Sequence, residues 1–190
     1  MITAIDKNTA LILIDLQKGV VKQSFSSPVQ HVLGNAAKLV YAFHNAGLPV
    51  VIVNVNPAGA KWTKSRKDAI PPQNTQSADW HEITEEIQTK PGDIFITKHT
   101  WGAFFETALD DELKKRNVTG IVIGGISTSI GMEGTARQAS ERGYNICFAR
   151  DAMTDMVGES HERSIKYIFP RMGEVDVTDK ILEKLIQIGV

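Results

Sequence analysis

Five short apolar runs punctuate the chain: ALILID over 10–15, PVVIVNV over 49–55, DIFIT over 93–97, GIVIGG over 120–125 and NICFAR over 145–150. They are nearly continuous in apolar residues and do not alternate. That pattern predicts strands covered on both faces, as in a parallel sheet. A weaker run, GEVDV over 173–177, is a candidate sixth strand.

Helical periodicity fills the gaps. Ser27 and Pro28 read as the N-cap and first position of a helix. Val29, Val32, Leu33, Ala36, Val40 and Phe43 mark one face of it, and Gly47 supplies the stop. Leu109 and Leu113 anchor a helix whose basic last turn, KKRN, suits the helix dipole. GMEGTARQASERG predicts a helix closing at Gly143, and ESHERSIKYIF one ended by Pro170. A last helix starts at Thr178, with Ile181, Leu182, Leu185 and Ile186 inward.

Strands alternating with helices predict a doubly wound α/β sheet with right-handed crossovers, within one domain over residues 1–190. The least regular stretch, 56–92, is polar and holds two tryptophans, Trp62 and Trp80. In a compact domain it reads as a loop covering the substrate.

Charge and composition narrow the partners. A net charge of −1 gives no reason to expect nucleic acid or an anionic membrane surface. No apolar run nears the roughly 20 residues that span a bilayer, and the first residues lack the pattern of a signal peptide. The expectation is a cytoplasmic protein. The single cysteine, Cys147, excludes an internal disulfide and multi-cysteine metal sites. It lies inside an apolar run and reads as inert core.

Open parallel sheets bind ligands beyond the carboxyl ends of their strands. The residues just past the runs are Asp15, then Asn54 and Asn56, then Lys98, His99 and Trp101, then Ser127 and Thr128, then Arg150 and Asp151. A lysine at a neighbouring strand end would keep Asp15 oriented and poised to move a proton. The helix opening at Ser129–Gly131 would offer unpaired backbone N–H groups to an oxyanion or carboxylate. His81 and His99 read as supporting polar residues. Asp151 and Arg137 read as ties between strand ends and helix.

Three motifs in order, ALILIDLQKGV, ITKHTWGAFFETALDDEL and GIVIGGISTSIGMEGTARQASERGYNICFARDAM, resemble those of the isochorismatase-like hydrolase superfamily. The resemblance implies a three-layer αβα fold with a parallel six-stranded, Rossmann-like sheet. It also implies a homo-oligomer, small-molecule substrates and no cofactor. Most members use an Asp–Lys–Cys triad on amides. The aspartate falls on Asp15 and the lysine on Lys98, but the cysteine position is Gly131. A non-proline cis peptide falls at Ile126–Ser127, which with Ile130 would face the substrate.

Without a thiolate there is no thioester route. Asn54 and Asn56 stand where the nicotinamidase branch carries metal ligands, and asparagines are poor ligands for a transition metal, so no metal is expected. True isochorismatases resemble this chain in having glycine at the cysteine position. They cleave an enolpyruvyl ether to pyruvate. On that reading Asp15 is the acid, Lys98 orients it, and Asn56, Arg66 and Trp101 meet the substrate. Two alternatives stay open: hydrolysis of another small carboxylated substrate by water that Asp15 activates, and a catalytically impaired amidase-type relative or Cys-to-Gly variant that only binds small molecules.

Overall fold

All six runs become strands: β1 (Thr9–Ile14), β2 (Val50–Val55), β3 (Ile94–Lys98), β4 (Gly120–Ile126), β5 (Asn145–Thr154) and β6 (Glu174–Asp176). The computed structural model describes residues 1–68 and 77–188. The strands form one parallel sheet in the order β3-β2-β1-β4-β5-β6. Its helices are α1 (Lys18–Val21), α2 (Val29–Asn45), α3 (Leu109–Lys115), α4 (Glu133–Glu141), α5 (Gly158–Arg163) and α6 (Thr178–Gln187).

Alternation along each strand divides the core between two layers of helix. On β1, Leu11 and Leu13 join Leu33 and Phe43 of α2 and Ile181 of α6. Ile12 and Ile14 join Leu109 and Leu113 of α3 and Ala136 of α4 on the other face. Burying each such side chain is worth about 1.5–3 kcal/mol, well above a surface ion pair. The central strands therefore fix the frame on which the polar strand ends sit.

Several local expectations need correction. Pro28, not Ser27, occupies the N-cap of α2, and no side chain caps that helix. The Ser27 hydroxyl pairs instead with Thr154 Oγ1 at 2.8 Å, next to Ser26, whose N–H and hydroxyl both donate to the Asp155 carbonyl. Those two serines tie the approach to α2 onto the end of β5. β3 lies at the sheet edge and alternates, leaving Phe95 60% exposed. Ile186 is 78% exposed because α6 packs through Ile181 and Leu185, one turn apart, and the next residue swings away.

The predicted helix ending at Pro170 continues past it. After α5, Ser164–Ile168 form a π-helical turn and Phe169–Arg171 a 3₁₀ turn that contains the proline. β5 does not stop at Arg150 and Asp151 but runs on to Thr154 after a register shift opposite Ile123 and Gly125 of β4. At Gly125, with φ of 132°, an added Cβ would lie 2.1 Å from the Ile14 carbonyl oxygen. Only glycine lets β4 and β1 approach so closely where the sheet order reverses.

Candidate active site

Asp15 follows β1 at that reversal, where β2 and β4 diverge on either side. Its φ is 55°, a left-handed conformation that aspartate tolerates better than most residues, and its N–H still reaches the Val53 carbonyl at 2.8 Å. The carboxylate Oδ2 meets Lys98 Nζ at 2.7 Å, with the two side chains 8% and 2% exposed respectively. The lysine is not on a neighbouring strand: β2 lies between β1 and β3, and Lys98 registers against Val55. Its four-carbon stem crosses the end of β2. Nζ also donates to the Thr100 carbonyl at 3.1 Å.

Burial outweighs the ammonium beside it and pushes the Asp15 carboxyl up from 3.8 to about 6. The other oxygen, Oδ1, is buried without a hydrogen-bond partner among the described residues. A carboxylate with one tied oxygen and one free oxygen, titrating near neutrality, suits proton transfer.

The peptide Ile126–Ser127 is cis, and the chain then enters a π-helical turn, Thr128–Met132, ahead of α4. Gly131 sits buried on that turn. A Cβ placed on it would lie 3.2 Å from Ile14 Cγ2 and 3.3 Å from both Asp15 Oδ2 and the Ile126 carbonyl oxygen. A side chain at 131 would therefore stand directly against the acid.

The expected row of free N–H groups is largely spent. Ser129 N–H donates to Asp155 Oδ2 at 2.7 Å, and the N–H groups of Ile130 and Met132 both return to the Ser127 carbonyl, at 3.2 and 3.1 Å. The wide π turn and the Asp155 carboxylate consume what an ordinary helix start would leave open.

A cavity of about 260 Å³ opens over these groups. Of the residues singled out from sequence, Asp15, Lys98, Trp101, Ile126, Ser127, Ile130 and Gly131 line it. Asn56 and Arg66 do not. The Asn56 side chain accepts the Ala58 N–H within its own loop, and Arg66 is exposed beyond the 3₁₀ turn Lys61–Lys64. Larger hollows, of about 340 and 480 Å³, lie elsewhere, and neither touches Asp15 or Lys98. Chemistry, not size, singles out this one.

The wall is strongly aromatic. Trp62 stands edge-on to Trp101 at 6.2 Å and donates its indole N–H to the His99 carbonyl at 2.6 Å. Trp80 and Phe25 complete it. Parts of the 56–92 stretch thus do cover the cavity, while residues 69–76 of it lie outside the described residues. His81 and His99 point at backbone carbonyls, of Val55 and Asn56. Asp151 holds the start of α6 through the Thr178 N–H and hydroxyl, and Arg137 pairs with Glu133 at 2.8 Å.

Cys147 is buried in β5, its thiol pushed up to about 12 mainly by desolvation. Among the described residues, no group of three or more His, Cys, Asp or Glu could hold a metal ion, and no helix is long and apolar enough to cross a membrane. Sequence reasoning overlooked Gln17, Asp155 and Met156. The first stands inside the motif ALILIDLQKGV; the other two follow an apolar run whose strand is longer than the run.

Comparison with known proteins shows the family and the fold. The chain is 40% identical over 182 residues to the uncharacterized isochorismatase family protein YwoC of Bacillus subtilis (strain 168), covering 94% of this chain and 95% of that one. It is 37% identical to the corresponding YecD protein of Escherichia coli O157:H7, covering 94% and 97%. The solved structure of an isochorismatase family protein from Burkholderia thailandensis superposes with a TM-score of 0.91 at 34% identity, covering 98% of this chain and 100% of that one. The isochorismatase domain model matches residues 9–179, and the chain belongs to the isochorismatase family of hydrolases.

Proposed function

We propose that this protein hydrolyses a small carboxylated substrate without a protein nucleophile, with an enolpyruvyl ether such as isochorismate as the reactant it fits best. The observation that carries the reading is Gly131. The position against Asp15 where a nucleophile would stand has no side chain, and the one thiol is buried elsewhere with a pKa near 12. Thioester chemistry is thereby closed to it.

Acid-catalysed cleavage of an enol ether needs only what the cavity holds. Protonated Asp15 delivers its proton to the terminal vinyl carbon, and the electron pair of the double bond forms the new C–H bond. The ether oxygen stabilises the resulting oxocarbenium ion. Water adds to the carbon bonded to the ether oxygen and loses a proton to the Asp15 carboxylate, and the hemiketal breaks its C–O bond to release pyruvate and an alcohol. A carboxyl titrating near 6 is acid enough to donate and is mostly protonated about one pH unit lower.

Lys98 keeps Asp15 Oδ2 fixed, so that the unpartnered Oδ1 carries the mobile proton. An ammonium has three N–H donors; two go to Asp15 and Thr100, and the third is left for a substrate carboxylate. The aromatic wall excludes bulk water from the cation until a single water is placed. Glycine at 131 leaves the space that water needs.

Incubation with isochorismate and assay of released pyruvate tests this directly. Enzyme-dependent pyruvate is expected. Folded protein that releases none above the uncatalysed rate refutes the enolpyruvyl-ether reading and leaves another small carboxylated substrate, or binding alone, as the account of the cavity.

A further inference from the structure

We infer that Gln17 is a positioning residue that sets the width of the cavity, by clamping the segment bearing Trp80 to the end of β2 while Gly19 seats the indole. The inference deepens the functional reading above and rests on it only for the kinetic part of its test.

Gln17 is fully buried, two residues after Asp15. Its side-chain amide donates to the Val55 and Trp80 carbonyls, each at 3.2 Å, and its oxygen accepts the Val55 N–H at 2.7 Å. One amide thus joins the turn after Asp15, the last residue of β2 and the covering segment. Asp15, Val55 and Trp80 all line the cavity. A buried amide costs several kcal/mol unless it is bonded, and here all three of its bonds go to backbone groups of two cavity walls. What the amide adds is a fixed spacing between the walls.

The backbone repeats the attachment. Lys18 N–H donates to Glu82 O at 2.8 Å, Gly19 N–H to Trp80 O at 3.1 Å, and Thr84 N–H to Leu16 O at 3.1 Å. Gln17 and Ile83 form an antiparallel bridge. The Trp80 indole lies so close over Gly19 that a Cβ there would fall 2.0 Å from Trp80 Cδ1 and 2.2 Å from Nε1. Any side chain at 19 would push the ring off its seat. Gln17 and Gly19 act on the same wall, Gln17 on the Trp80 backbone carbonyl and Gly19 on the seat of the Trp80 ring.

Two variants test this, Gln17→Met, which keeps the volume and loses the hydrogen bonds, and Gly19→Ala, which keeps them and displaces the ring. In Gln17→Met, amide hydrogen exchange over residues 79–84 is expected to quicken about tenfold with β1 and β4 unchanged. Acrylamide should quench tryptophan fluorescence more in both variants, and the increment should vanish when Trp80→Phe is added. Unchanged exchange and quenching would overturn the inference, as would loosening spread evenly through the sheet.

The kinetic readout separates positioning from plain support. With isochorismate as probe, KM should rise about tenfold while kcat stays within about twofold. Equal losses in both constants, or none, would contradict a positioning role. A wild type that leaves isochorismate untouched would refute the reaction assigned above, while the exchange and quenching results would still decide the role of Gln17.

Discussion

Two buried carboxylates, each paired with a nitrogen-bearing side chain, sit at opposite ends of the sheet, and only one belongs to a site. Asp15 and Lys98 meet at 2.7 Å past the carboxyl ends of the strands; His44 and Asp93 meet at 2.8 Å where β3 begins. Their side chains are similarly hidden, 8% and 2% exposed in the first pair, 8% and 5% in the second. The difference lies in what remains unspent. Asp93 gives Oδ1 to His44 and Oδ2 to the Lys90 N–H, so both oxygens are occupied, and neither residue lines the cavity. Asp15 keeps one oxygen free beside an open space. A buried, paired carboxylate alone does not make a site; an unpartnered oxygen with room beside it does.

Substitutions can break that contrast, and the largest effect is expected at Asp15. Asp15→Asn removes the mobile proton and keeps the shape, so kcat/KM should fall about a thousandfold while ligand affinity stays within about tenfold. Titration of a bound ligand beside the kinetics checks both halves.

Lys98→Met comes next, with a loss of about a hundredfold as Asp15 loses its tether. It also has a stability signature. Asp15 would lose the neighbour that holds its carboxyl down, so its pKa would move further up. A carboxyl raised above its unfolded value contributes stability that is present below the unfolded pKa and lost as pH rises through the folded one. Urea unfolding should therefore find this variant close to wild type near pH 4 and weaker by about 3 kcal/mol near pH 8.

Gly131→Ala should cost about tenfold in kcat/KM, because the new methyl crowds Asp15 Oδ2 from 3.3 Å and takes the space of the attacking water. Gly131→Cys asks more: a thiol there that reacts with iodoacetamide would show that the surroundings can still activate a nucleophile. His44→Leu should leave kcat/KM within about twofold and lower stability by about 1–3 kcal/mol. An activity loss at His44 comparable to that at Lys98 would dissolve the distinction between the pairs.

The sheet was legible because its strands are short apolar runs, and covering on both faces demands that pattern. Ambiguity entered where tertiary context overrides it. β3 keeps apolar residues on its open edge face, and β5 carries Arg150 and Asp151 through a register shift, so its true end at Thr154 and the clamp at Asp155 were hidden. Asp15 was readable as a polar residue after a strand. Its pairing with Lys98 was readable only as proximity, since the stem reaching past β2 is a fact of strand order. Asn56 and Arg66 were drawn toward the cavity by analogy, whereas the Asn56 side chain bonds within its own loop and Arg66 is exposed outside the cavity lining. Gln17 looks like an ordinary loop residue until the segment at 80–84 folds back on it.

The central claim is that Asp15 works as a proton donor, and the pH dependence of pyruvate release from isochorismate tests it most directly. With the carboxyl near 6, kcat/KM should be highest below about pH 6 and fall roughly tenfold per unit above it. A profile that rises through pH 6 would assign Asp15 to water activation as a base, and a flat one would remove it from the chemistry; either contradicts the account.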